Sequence, residues 1–530
     1  MATSSLTAGP AAPSSAAPHR PTASVGAGNP HRGVITLLVM MASIMQALDN
    51  TIANVALPRI QGSLSTTQDQ MTWVLTSYIV AAAIMTPLSG WLAGQFGRRK
   101  VFLLSIVGFT VASALCGLAQ SLPEIVAARL FQGISGAALI PMSQAILLDI
   151  NPKERHAKAM ALWVMGVTIG PILGPALGGW LTENYDWRWV FFINVPVGVL
   201  CAFGVVAVMP ETTLRRSRFD FVGFLALSVA IGAFQLMLDR GQLNDWFSSV
   251  EIGIEATVAA LGLYIFVVHM VTTRHHPFVS PALFRDRNFL TGNVFIFIVG
   301  VVLFATLALL PPLLQDLMQY PVVLTGLVTA PRGLGTLAAM VVVGRLMGRV
   351  DTRWIIAAGF AMTAWSLWVM SGFYLQMDTW QVILSGLVQG FGTGFVYVPL
   401  AAVTFATLSP ELRNEGTALF SLVRNIGSSI GISVVVALLT RNTQLMHSRI
   451  AEQVTPFAGA ALHPIAGVGW PGAEQLAALN ASVTAQAAMI AYNNDFKLMM
   501  VLTLCAVPLV ALLRGAPRAV KHDNEPVLLE

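Results

Sequence analysis

The chain has 530 residues, of which 55% are apolar and only 10% are Asp, Glu, Lys or Arg. Soluble domains carry about 25% charged residues, so a soluble multi-domain enzyme and a disordered chain are excluded. A net charge of +5 spread over that length is no basic patch and excludes a nucleic-acid partner, which leaves a polytopic membrane protein.

A bilayer core of about 30 Å takes about 20 apolar residues at 1.5 Å each. Residues 1–33 are rich in Ala, Pro, Ser and Gly without an apolar stretch, which predicts a disordered tail and not a signal peptide. Fourteen apolar runs follow: 34–57, 70–92, 101–119, 123–147, 158–181, 189–209, 220–238, 250–271, 290–312, 324–347, 354–373, 379–405, 416–439 and 496–513. Of the 30 Lys and Arg residues, 21 fall between spans on the side of the N-terminus and 6 on the other side. The remaining 3, Arg129, Arg332 and Arg424, lie inside spans. An excess of Lys and Arg marks the cytoplasmic side, so both termini are expected there. The segment 440–495 is then extracytoplasmic. Its weakly amphipathic stretch from Glu474 to Tyr492 reads as a solvated cap or a partner-docking helix. Cys116, Cys201 and Cys505 lie in apolar runs, and His275-His276 has no partner at metal-ligand spacing. No disulfide, metal or cofactor is expected.

Two ionisable residues in the first half give the strongest signal. Counted from Val34, Asp49 lies about 22 Å into span 1; counted from Pro123 on the other side, Arg129 lies about 9 Å into span 4. In a core of about 30 Å these depths nearly coincide. A charge at such depth is expensive and functional by default. The pair is expected to couple a proton, with a static ion pair as the alternative. In span 5, Gly166, Gly170, Gly174 and Gly178 recur every four residues, a stripe that lets a neighbouring helix approach closely. Pro171 and Pro175 break its backbone ladder. Two readings are open, a seam that slides or flexes and static close packing. Asn54 and Gln132 join these as candidate cavity or interface residues. Arg332 and Arg424 read first as structural, bonded to helix-end carbonyls.

The chain repeats itself. Gln132-Gly133, Ala161-Leu162, Gly170 and Gly174 recur 257 residues later as Gln389-Gly390, Ala418-Leu419, Gly427 and Gly431. Gly90-x-Leu92-x-Gly94 recurs 254 later as Gly344-x-Leu346-x-Gly348, with Arg99 matching Arg353. Eight spans separate the copies, an even number, so both have one orientation. That is a parallel repeat about the membrane normal, the plan of a two-bundle transporter with its site between halves. At the positions of Asp49 and Arg129 the second copy has Leu303 and Gly386, so coupling chemistry is expected in the first half.

Four motifs then carry a resemblance. Span 1 reads Leu48-Asp49-Asn50-Thr51-Ile52-Ala53-Asn54-Val55-Ala56-Leu57-Pro58, and span 4 reads Arg129-x-x-Gln132-Gly133-x-x-Gly136-Ala137. Span 5 reads Gly170-Pro171-Ile172-Leu173-Gly174-Pro175-Ala176-Leu177-Gly178-Gly179, followed by Trp187-Arg188-Trp189-Val190-Phe191-Phe192-Ile193-Asn194-Val195-Pro196. After the tail, essentially the whole chain resembles the 14-helix drug:proton antiporter branch (EmrB/QacA type) of the major facilitator superfamily. The resemblance implies an all-α fold of two six-helix bundles, 34–209 and 290–513. Two extra helices fall within 210–289, and 514–530 is a cytoplasmic tail. It also implies a proton-coupled antiporter in a bacterial inner membrane, exporting amphipathic drugs. A narrow exporter of one metabolite, such as a fatty acid or siderophore, is the alternative. In double-membraned bacteria the implied partners are a periplasmic adaptor and an outer-membrane channel, met through 440–495.

There is one departure. Gly94 and Gln95 stand where the family has the Asp and Arg of its cytoplasmic latch. Gly90, Arg98 and Arg99 remain gate candidates, with Asp149 as the partner for Arg98; a plain positive-inside anchor is the alternative. An ATP-driven pump would need a G-x-x-x-x-G-K-[ST] loop, and a membrane enzyme a cluster such as H-E-x-x-H; the sequence has neither.

Overall fold

The computed structural model describes residues 31–513 apart from 67, 153–154, 212–217, 274–276, 410–411 and 454–472. Nearly all of the first tail, the last tail, the His275-His276 pair and the middle of 440–495 therefore lie outside the described residues. In lipid a segment must satisfy its own backbone groups, and among the described residues the regular structure is helical.

The first half runs α1 (Arg32–Leu64), α2 (Gln68–Met85), α3 (Leu88–Phe96), α4 (Arg98–Leu118), α5 (Leu122–Gly136), α6 (Leu139–Ile150), α7 (His156–Asn184), α8 (Trp189–Phe192) and α9 (Asn194–Val208). A hairpin of α10 (Phe221–Arg240) and α11 (Val250–Thr272) follows. The second half runs α12 (Ala282–Arg285), α13 (Arg287–Pro312), α14 (Val322–Thr329), α15 (Pro331–Leu346), α16 (Thr352–Met370), α17 (Thr379–Ala406), α18 (Arg413–Gln453) and α19 (Ala473–Leu509). Pro87 lacks the N–H that would continue α2, and the chain bends by 56° there. The hydroxyls of Thr86 and Ser89 take up the carbonyls of Ala82 and Thr86 at 2.6 Å each.

Among the described residues twelve helical runs are long and apolar enough to cross a membrane, thirteen if α2 and α3 make one bent span. The expected fourteen is not reached by that count. The run at 158–181 falls in α7, a helix of 29 residues, several of whose side chains lie outside the described residues.

Packing repeats as the sequence does. In the first half α1 lies on α7, α2 on α5 and α4 on α5; in the second α13 lies on α18, α15 on α17 and α16 on α17. The halves meet along α7 with α14, α15 and α17, and along α18 with α3 and α6. The α10–α11 hairpin sits on the second seam, packed on both α2 and α18. There the Ser429 hydroxyl donates to Gln235 at 2.9 Å, and that of Ser433 donates to the Leu238 carbonyl at 2.8 Å.

The segment 440–495 differs from the expected loop. α18 has 41 residues and α19 has 37, or about 61 and 55 Å, roughly twice the bilayer core. They pack on each other beyond the apolar spans, with His447 Nε2 3.0 Å from Asn480 Oδ1. Along this part of α19, Val483, Ala487, Met489, Ala491, Tyr492 and Asp495 are buried; two are Ala and one is an acid, so no continuous apolar stripe stands out in the sequence.

Candidate functional site

Asp49 and Arg129 are both fully buried, and the structure brings them together. Arg129 Nη1 lies 2.7 Å from Asp49 Oδ2. Gln132, three residues along α5 and so on the same face, donates Nε2 to Asp49 Oδ1 at 2.9 Å. Asn194, opening α9, donates Nδ2 to the same oxygen at 2.9 Å. The carboxyl thus accepts three hydrogen bonds, each from a side-chain N–H. Arg129 has further holds. Its Nε donates to the Val74 carbonyl at 3.2 Å and its Nη1 to Gln132 Oε1 at 2.7 Å. Its guanidinium carbon stands 4.4 Å from the centre of the Tyr78 ring, a cation–π contact. Asn194 also donates to Ser113 Oγ at 3.0 Å, and Ser113 donates to the Phe191 carbonyl at 2.8 Å. Two spans, α5 and α9, thus donate to one carboxylate of α1, and α2 and α4 hold the donors in place.

The glycine stripe of α7 lies against the same stretch of α1. A Cβ added at Gly170 would stand 2.7 Å from the Leu48 backbone nitrogen, and one at Gly174 would collide with the side chain of Thr51. At Gly178 it would meet Ile52 at 2.9 Å, and at Gly166 the flexible tip of Met40 at 3.1 Å and the Ile44 side chain at an ordinary 3.4 Å. Backbone contact is closest at Ala47 to Ile52, on either side of Asp49. Pro171 and Pro175 belong to α7, but their side chains lie outside the described residues. Asn54 is exposed.

At the Arg98 end one carboxylate ties the halves together. Asp149, closing α6, pairs with Arg98 of α4 and accepts from Arg413 Nη1 of α18 at 3.0 Å. Gly90 of α3 faces α18 closely, since an added Cβ would lie 3.1 Å from Glu415 Cα. Arg99 turns away and donates to the Val206 carbonyl at 2.6 Å within the first half. Deeper in the seam, Tyr397 Oη accepts from Gln144 at 3.4 Å and from Arg424 at 3.1 Å. Asp149→Ala would remove the carboxylate that Arg98 and Arg413 share across the seam. Spin labels at Phe96 and Arg349 should then move to longer distances in pulsed dipolar spectroscopy. An unchanged distance distribution would mean that the triad does not hold this end closed.

Asn194, Ser113, Tyr78 and Arg413 are functional neighbours that the sequence reading did not single out. A polar Asn opening an apolar span was the available signal for Asn194. Among the described residues no three His, Cys, Asp or Glu side chains gather as a metal site.

The model of the Major Facilitator Superfamily matches residues 39–432. The chain is 36% identical over 482 residues to the fatty acid resistance protein FarB of Neisseria gonorrhoeae, covering 90% of this chain and 95% of that one. It is 37% identical over 469 residues to the multidrug export protein EmrB of Escherichia coli (strain K12), covering 87% and 91%. Among solved structures, the human organic anion transporter MFSD10 (TETRAN) shares the fold at a TM-score of 0.58 and 15% identity, over 89% of this chain and 100% of that one.

Proposed function

The chain belongs to the major facilitator superfamily, and on that footing we propose that it is a proton-coupled antiporter exporting amphipathic organic compounds by alternating access. The observation that carries this reading is the sealed Asp49–Arg129 pair, a buried acid and base in contact at membrane depth in the first half. Its counterpart in the export of drugs is the similarity to EmrB. A proton arriving at Asp49 cancels the charge that holds Arg129 and weakens the bonds from Gln132 and Asn194. Its release restores them. Because α7 rests on the Asp49 turn of α1 and also meets the second half, that change reaches the seam between halves.

The energetics suffice. One proton moving inward down 100 mV supplies about 2.3 kcal/mol, and one pH unit about 1.4. For a neutral substrate both contribute; for a monovalent cation exchanged one for one, the potential cancels and only the pH gradient drives export. The similarity to FarB supports a second reading, export of a fatty acid.

Both termini face the cytoplasm of a bacterium, with the protein in its inner membrane, and the Asp149 triad closes the cytoplasmic end. The projecting α18–α19 hairpin then lies in the periplasm, where it meets an adaptor that leads to an outer-membrane channel. The transport reading is tested in inverted vesicles with a fluorescent pH indicator inside. Adding ethidium or a similar amphipathic dye to energised vesicles should dissipate the pH gradient, and a protonophore should stop dye accumulation. Dye accumulation that persists without any gradient would refute proton coupling.

A further inference from the structure

The second half keeps the frame of the Asp49 site with its charges rearranged. By the repeat, Asp49 corresponds to Leu303 on α13, Tyr78 to Arg332 on α15, Arg129 to Gly386 on α17, and Gln132 to Gln389 on α17. In the first half a guanidinium from α5 lies over a tyrosine of α2. In the second half the α17 position is bare, and the guanidinium comes from α15. A Cβ added at Gly386 would lie 3.8 Å from Arg332 Cβ, so the two helices meet there. Arg332 is only 7% exposed; its Nη2 reaches the Leu303 carbonyl at 3.4 Å, and its Nη1 is buried with no partner. Among the described residues no carboxylate pairs with it.

Gln389 is equally incomplete. It is 1% exposed and donates Nε2 to Thr306 Oγ1 at 3.1 Å, while its Oε1 has no partner. A half-turn of the amide exchanges its oxygen and nitrogen, and would present Nε2 as Gln132 presents its own to Asp49. A small cavity lies beside Gln389, walled also by Val299, Leu303, Phe360, Thr393 and Thr503; Leu303, whose carbonyl Arg332 reaches, is shared between the two. The second half thus holds a guanidinium, an amide and an apolar hollow, and lacks only the acid.

A guanidinium buried in the membrane without an anion is costly and marks a functional site whose partner must be named. Its planar fork matches a carboxylate with two parallel N–H bonds. We propose that Arg332 recognises the carboxylate of an exported amphipathic monocarboxylate, which takes the place that Asp49 holds in the first half. This deepens the export reading and rests on it for the direction of movement, while the binding site stands on its own geometry.

The test uses the full chain in lipid nanodiscs with decanoate and decanol as probes, read by titration calorimetry against empty nanodiscs. Decanoate should bind more tightly than decanol by about tenfold or more. Arg332→Gln should bring that ratio close to one. Leu303→Asp keeps the guanidinium and restores an acid at the position matching Asp49, so it should abolish the preference as well and decides the matter should Arg332→Gln fail to fold. A decanoate-to-decanol ratio within about twofold of wild type in a folded variant overturns the proposal. Failure of the export reading is distinguishable: wild-type protein that moves no probe in inverted vesicles, yet shows the Arg332-dependent preference, refutes export and leaves the site standing.

Discussion

Asp49→Asn should reach the membrane in normal amounts and lose proton-driven export by about tenfold or more, because it removes the one acid set at membrane depth against an Arg. Insertion follows hydropathy, and deleting a charge from span 1 does not hinder it. Asn keeps the size of the side chain and one acceptor oxygen, and with that oxygen at the Oδ1 position the bonds from Gln132 and Asn194 survive while the bond from Arg129 is lost. Arg129 retains the Val74 carbonyl, Gln132 Oε1 and the Tyr78 ring. The folded state is weakened nonetheless, since breaking a buried pair costs on the order of 3–5 kcal/mol, and the melting temperature should fall. What the variant lacks is a group that takes and gives up a proton. Downhill dye efflux should therefore persist while uphill, protonophore-sensitive export disappears. Arg129→Ala should shift the pH optimum or abolish activity through the other member of the pair. An Asp49→Asn protein that still concentrates dye against a gradient would remove Asp49 from the mechanism.

Gly174→Leu should be nearly as damaging, for a mechanical reason. Even a Cβ at this position collides with Thr51, two residues from Asp49, and a leucine adds three more carbons. α7 and α1 must separate, and the Asp49 carboxylate leaves its three donors or drags α1 with it. Helices in lipid gain little from apolar contact with each other and depend on close packing, so the seam has nothing to replace what is lost. Protein level should stay near wild type while export falls by about tenfold or more, the penalty expected where overpacking costs at least 1–3 kcal/mol. Gly166→Ala is the control, because its Cβ meets the flexible end of Met40 and touches Ile44 at ordinary contact distance, and export should be close to normal. Full export by a well-expressed Gly174→Leu protein would mean that the stripe does not transmit motion.

Much of this architecture was legible in the sequence, because lipid leaves a span few alternatives to an apolar helix. Depth arithmetic alone set Asp49 and Arg129 level, and they are in contact. The period of four glycines marked the seam with α1. The Arg98–Asp149 pair could be anticipated from charge at neighbouring span ends. Other features were not legible, each for a physical reason. Asn194 and Ser113 join the carboxylate from spans far away in sequence, and ordinary polar residues in apolar runs carry no address. Arg413 looked like one more cytoplasmic anchor; only the docking of α18 on α6 turns it into the second clasp of Asp149. The substitution of Tyr78 by Arg332 across the repeat could be aligned, but whether that guanidinium had found an anion depends on its surroundings in three dimensions. The continuation of α18 and α19 past the bilayer was hidden because the buried positions of α19 there mix Ala with Tyr and Asp and leave no apolar stripe.

That continuation makes the second half a lever. About 14 residues of α18 extend past its apolar span, or about 21 Å, so the tip stands about 36 Å from the bilayer midplane. Rigid-body rotations of about 15° are ordinary in switching proteins, and a tilt of about 10° would sweep that tip through about 6 Å. The arm is stiff, since its two helices brace each other through His447 and Asn480, and it is rooted in the helix whose other end carries Arg413. Each opening of the clasp at Asp149 would be felt at the far tip as a stroke of about one helical turn, so a protein seated there would sense the transport cycle without touching the substrate.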